Sequence, residues 1–325
     1  MSASRVRGLT VWVPTSDPNQ SEQLPLGNRR HTTVRTIVDR ALFIVESRPG
    51  RVALRDLAIQ IVLGRRNRGE PCLYPRNDPT FGDMDRFIDL FLNLMRSDAP
   101  EFYLTNTESE AMTRRYDWAR PETTLNDFRP GNTGHMELNQ KIITSMTDAR
   151  SNGMYNKYMF QMIISAAHEF SHFVTGFLTG LARPITPPTV NVPGVPREAG
   201  YQWEVSALGG IVEFWSDPDN PNDINQPGIP YLFPDGRSES IGRAVSATYI
   251  KNLVAGGQAL NIRVQPSSRS IPTTRGNLAA ISNRMARLRV NASRAERRLA
   301  RAGPGGPSTL ERNRLQPGWV EYGYY

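Results

Sequence analysis

Apolar residues recur at helical spacing through residues 33–47 (TVRTIVDRALFIVES), and the Pro49-Gly50 break separates this run from a second one over 51–64. A third amphipathic helix is expected from Asp83 to Ser97, where Phe87, Leu90, Phe91 and Leu94 share a face. Glu101–Leu104 and Thr133–Ile143 read as strands; in the second, Met136 and Leu138 alternate with His135, Glu137 and Asn139. The stretch between them is polar and reads as irregular, and residues 1–28 read as an extended, polar lead-in. A long helix is expected from Asn156 to Leu181, followed by a proline-rich crossing over 182–196. Further helices are expected over 197–215, 238–255 and 276–302. This order, mostly helical with a few strands, predicts an α+β fold with a small sheet. It divides into a helical N-terminal region (1–130), a core (131–260) and a basic helical C-terminal segment with its tail (261–325), docked on one body.

The helix around residue 168 has an unusual pattern. Taking His168 as zero, His172 falls at about 40° and Glu169 at about 100°. Gln161, Ser165, Gly176 and Thr179 fall beside them, while Phe160, Ile163, Ala166, Phe170, Phe173, Val174 and Phe177 cover most of the rest. A surface helix would show a broad polar face. This one is expected to be buried on most sides, with one polar stripe facing a site. Met159–Leu181 is also the one candidate for a membrane span, but it carries His168, Glu169 and His172 and has no companion, so no membrane span is expected.

That stripe contains His168-Glu169-Phe170-Ser171-His172, an HExxH motif. Residues i and i+4 share a helix face, so both imidazoles can bind one Zn2+. Glu169 sits beside them, placed to take a proton from a metal-activated water. A third protein ligand is required, and no histidine follows His172. The third ligand is then an acid, unless His135 or Cys72 arrives from upstream. Glu198 is the first candidate: the proline-rich crossing allows the chain to return, and Ala199 and Gly200 permit close helix packing. Glu204 is the alternative; six positions on, it lies roughly 240° round the helix, so the two hardly face the same metal. Glu204 is otherwise suited to supporting a ligand from behind. Glu213 and the acids of 217–239 are more distant choices. Tyr201, Tyr231 and His135 are candidates to stabilise an oxyanion.

Composition narrows the chemistry. One cysteine, Cys72, excludes a disulfide scaffold and a thiolate zinc cluster. Three lysines, Lys141, Lys157 and Lys251, make Schiff-base chemistry a poor reading. The net charge is +8, but seven arginines and one acid lie between Arg284 and Arg301, leaving a nearly neutral body. That segment offers a contact for an anionic partner such as nucleic acid, or forms a solvated helix docked on the body. The N-terminus lacks the apolar run of a secretory signal, and with one cysteine an intracellular compartment, cytoplasmic or nuclear, is expected.

His168-Glu169-x-x-His172, followed by a helical glutamate opening Glu198-Ala199-Gly200, resembles the gluzincin metallopeptidases. The second piece is similar to the Glu-Ala-Asn ligand helix of intracellular enzymes of the ImmA/IrrE kind, with Gly200 where Asn is usual. The resemblance covers roughly residues 133–215. It implies a zincin-like catalytic core and a zinc-dependent hydrolase of peptide bonds, with Glu169 as general base and a nearby edge strand that pairs with a peptide or protein substrate. Thr133–Asn139 is the expected edge strand. Two other readings follow from the same residues: a zinc hydrolase of small-molecule or peptide metabolism, and a basic nucleic-acid or partner-binding protein whose HExxH helix is structural.

Overall fold

A computed structural model of the chain describes residues 6–17, 20–75, 78–79, 81–107, 109–182, 198–215, 217, 226–234, 240–257, 262–266 and 272–278. The elements in order are β1 (Val11–Pro14), β2 (Ser21–Gln23), α1 (Arg29–Val45), α2 (Arg48–Asn67), α3 (Phe81–Ser97), β3 (Glu101–Thr105), β4 (Ala111–Arg115), the single turn α4 (Pro130–Thr133), β5 (Gly134–Asn139), α5 (Gln140–Thr147), α6 (Asn152–Thr179), α7 (Ala199–Leu208), β6 (Ile211–Trp215), β7 (Ile229–Phe233), β8 (Ile241–Ala244), α8 (Ala247–Val254) and β9 (Thr273–Thr274). The described residues form a mixed helical and strand structure with two small sheets.

Helix starts follow side-chain capping. Asn28, Ser47, Asn139 and Ser151 each accept from a backbone N–H in the first turn of α1, α2, α5 and α6. The first sheet runs β2-β1-β3-β5-β4, with β1, β3 and β5 parallel and β2 and β4 antiparallel at the two edges. Val11, Phe102, Leu104, Met136, Leu138 and Thr113 face the helices, and the alternate residues face the other way. The sheet joins strands from both sides of residue 130, and one hydrophobic core runs from Val6 to Ile262.

Helix α6 is the axis of the molecule. It lies against α1, α2, α5, α7, α8 and β4, and every residue from Tyr158 to Thr179 is buried. Among the described residues no helix is long and apolar enough to cross a membrane.

Several expected elements differ. Thr133–Asn139 is not an edge strand: β5 is bonded on one side to β3 and on the other to β4, which leaves it no unpaired edge. The edge on that side is β4, inside the stretch expected to be irregular. The strand also ends earlier, because Asn139 caps α5 by accepting from Lys141 N (3.0 Å) and Ile142 N (3.3 Å). Residues 197–215 are not one helix. Gly209 at φ 78° ends α7, and the apolar run Ile211–Trp215 becomes β6. Residues 238–255 divide into β8 and α8, and the lead-in contributes β1 and β2. The expected Arg284–Arg301 helix lies outside the described residues.

Candidate metal centre

Helix α6 places His168, Glu169 and His172 with one ligand atom of each within 4.8 Å of the others, all buried. Helix α7 enters from the other side. Its capping residue is Glu198, whose Oε1 accepts from Gly200 N (2.9 Å) and whose Oε2 accepts from Tyr201 N (3.0 Å). The two backbone bonds fix the carboxylate, and it faces both imidazoles: Oε2 lies 3.2 Å from His168 Nε2, and Oε1 is in contact with His172 Nε2. Burial would raise the Glu198 pKa, but the charges and hydrogen bonds of His168 and His172 outweigh it and hold the carboxyl well below the usual carboxylate range.

Glu204 reaches His168 from behind. Its Oε1 lies 2.7 Å from His168 Nδ1, and its Oε2 accepts from Val212 N (3.0 Å), the second residue of β6. Glu204 is fully buried. A proton on Nδ1 shared with this carboxylate would leave Nε2 of His168, on the Glu198 side, to hold a metal. Glu204 therefore stands behind a ligand rather than at the Nε2 face. His172 Nε2 is buried and faces Glu198 Oε1.

Glu169 is held on the opposite flank. Its Oε2 accepts from Thr113 N of β4 (2.8 Å), and Thr113 Oγ1 donates to the Glu169 carbonyl (3.1 Å). Strand β4 and the chain after it continue along α6: Arg115 Nη1 donates to the His172 carbonyl (3.1 Å) and Trp118 Nε1 to the Gly176 carbonyl (3.0 Å). The polar stripe is thus enclosed between β4 and α7, with Glu169 tied to the strand and the imidazoles tied to the helix.

Tyr201 sits with its ring edge-on to His168, centroids 4.7 Å apart. The other candidates lie elsewhere. His135 is on the far face of the first sheet, where its ring nitrogens meet the Tyr116 hydroxyl and Glu137. Burial would raise the Glu137 pKa, but His135 and Arg114 together lower it. Cys72 lies by the C-terminal end of α6, where Leu73 N donates to the Leu178 carbonyl (2.8 Å). Glu213 pairs with Arg275 (2.8 Å) and accepts from Trp215 Nε1 (3.2 Å). Tyr231 is opposite Glu213 and packs against Trp215, Phe233 and Leu278, away from the main core. Of the acids of 217–239, Asp219, Asp223, Asp235 and Glu239 lie outside the described residues.

The donor set suits zinc: two imidazole nitrogens and a carboxylate that meets both of them, backed by a second buried carboxylate. Sequence reasoning missed Thr113, Arg115 and β4, which the pattern of AMTRR does not mark as a strand because both of its faces carry polar residues. Comparison with protein-family models, with curated proteins and with solved structures finds no match.

Proposed function

We propose that the chain is a zinc-dependent metallopeptidase of zincin-like fold, in which His168, His172 and Glu198 hold the metal and Glu169 is the general base. One observation carries this reading. A glutamate 26 residues beyond the HExxH motif returns to face Nε2 of both imidazoles, while a second glutamate braces His168 Nδ1. A purely structural helix has no use for two buried histidines and two buried glutamates converging on one point, since each buried charge is costly unless paired.

Bound zinc supplies the Lewis acidity that polarises a peptide carbonyl and activates a water. Glu169, held by Thr113 N, takes a proton and returns it to the leaving amine. Tyr201, beside His168, is the candidate donor to the developing oxyanion. β4, one of the two edge strands of the first sheet, is where an extended peptide pairs, with Thr113 N already committed to Glu169. The single Cys72 fits a reducing, intracellular setting. The Arg284–Arg301 segment is the place for an anionic partner.

Zinc per chain, measured in wild type and His172→Ala, tests the site. About one zinc in wild type and none in the variant, with peptide cleavage that Glu169→Gln abolishes, supports the reading. No zinc in either protein after reconstitution sinks it. Zinc and Glu169-dependent hydrolysis of small amides, with peptides left intact, would move the chain to the small-molecule hydrolases.

A further inference from the structure

Glu204 is held from two sides, and one of them is a strand of the second sheet. Its Oε1 faces His168 Nδ1 (2.7 Å), and its Oε2 accepts from Val212 N (3.0 Å). Val212 lies in β6, which pairs with β7. The carboxylate behind His168 is thus seated on a strand donor, and its place depends on where β6 lies.

The next residue of β6 fixes the strand. Side chains alternate along it, so Val212 and Phe214 join the main core while Glu213 and Trp215 face the other way. The chain after β9 covers that outer face. Leu278 packs with Trp215 and Phe233, and Arg275 lies over the Phe233 ring, 4.0 Å from its centre. Arg275 Nε donates to Glu213 Oε1 (2.8 Å), and Trp215 Nε1 donates to Glu213 Oε2 (3.2 Å). Glu213 is 0% exposed. A buried carboxylate that loses its cation is an uncompensated charge, and the chain that carries it must shift to bring it towards water. A shift at Glu213 moves Val212 N, one residue away, and with it the seat of Glu204. The contacts therefore run from Arg275 through Glu213, Val212 N and Glu204 to His168.

We propose that Arg275 is a positioning residue for the metal centre: by clamping Glu213 it holds β6 where Val212 N seats the Glu204 carboxylate behind His168. The proposal rests on the reading of His168 as a metal ligand given above.

The test uses the full-length protein, with zinc affinity read by chelator competition and the ligand field read from the visible absorption of the Co2+-loaded form. Arg275→Met is expected to weaken zinc about tenfold and to shift the Co2+ bands. Arg275→Lys, which keeps the charge but not the planar fork, is expected to lose less. Leu278→Ala loosens the same sheet face without touching the ion pair, and is expected to lower the melting temperature while leaving zinc affinity within about twofold of wild type. In a Glu204→Gln background, where the support of His168 is already weakened, Arg275→Met is expected to add no more than about twofold. If Arg275→Met does not fold, Arg275→Lys carries the comparison in both backgrounds. Zinc affinity that neither Arg275 variant alters, that falls as far in the Glu204→Gln background as in wild type, or that Leu278→Ala lowers equally, overturns the proposal. Zinc held by wild type and weakened by Glu204→Gln but not by Arg275→Met strikes this inference alone. A wild type that takes up no metal strikes the metallopeptidase reading and the inference with it.

Discussion

The imidazole of His168 rests on the backbone of Gly200, so closely that a Cβ at Gly200 would overlap Nε2, Cδ2 and Cε1 of the ring. Helices α6 and α7 approach at this point only because residue 200 has no side chain. Gly200→Ala must either tilt His168 away from Glu198 and Glu204 or push α7 outwards. Overpacking of this kind costs about 1–3 kcal/mol. Zinc affinity, read by competition with a chromophoric chelator, is expected to fall roughly tenfold or more. Gly200→Asn is expected to be worse. Unchanged affinity in both would mean that His168 does not hold the metal in this orientation.

Glu198 and Glu204 both touch His168, on opposite ring nitrogens, and the difference is measurable. Glu198→Ala removes the proposed third ligand and is expected to abolish stoichiometric zinc. Glu204→Gln keeps an acceptor but loses the charge behind His168 Nδ1, and is expected to weaken zinc about 10–100-fold. If Glu204→Gln strips the metal and Glu198→Ala does not, the third ligand is reassigned.

Thr113 offers a way to separate metal binding from catalysis. Its N–H points away from β5, towards Glu169, on an edge strand. Proline is tolerated at such outward edge positions. Thr113→Pro therefore removes the donor to Glu169 Oε2 while sparing the β4–β5 ladder. It is expected to keep zinc and lose at least about tenfold in kcat, whereas Thr113→Val, which keeps the N–H, is expected to lose less. Equal losses in the two variants would assign the effect to the Thr113 hydroxyl and its bond to the Glu169 carbonyl.

What the sequence made legible was whatever periodicity and chemistry encode locally. The burial of α6 follows from its apolar wheel, and the meeting of Glu198 with the two histidines follows from ligand counting and the small residues beside it. The far partners were not legible. Nothing in AMTRR announces an edge strand, because Thr113 and Arg115 spend their side chains on carbonyls of α6 rather than on an apolar face. His135 misled because alternation tells which residues share a sheet face but not which face meets the metal helix; it lies with Tyr103, Tyr116 and Glu137 on the other side. The 197–215 run read as one helix, and the left-handed turn at Gly209 separates α7 from β6.

The last prediction concerns pH, through a histidine far from the motif. His31, in the first turn of α1, is 1% exposed, and neither ring nitrogen has a hydrogen bond of good geometry. Burial disfavours the charged ring and Arg35 adds to this, while a poor contact with the Leu9 backbone offsets only part, so its pKa lies below the ordinary 6.5. Well above pH 6.5 the ring is neutral in both folded and unfolded chains, and it adds no pH dependence. As pH falls through 6.5 the unfolded chain takes up a proton that the folded chain resists, so stability falls with pH until the folded pKa is passed. Urea midpoints of the zinc-free His172→Ala protein, measured from pH 8 to pH 5, avoid the titration of metal release. The midpoint is expected to drop below about pH 6.5, and part of that drop is expected to vanish in His31→Leu on the same background. An identical pH dependence with and without His31 would show that the ring finds a proton acceptor when charged, and would place the acid sensitivity of the fold elsewhere.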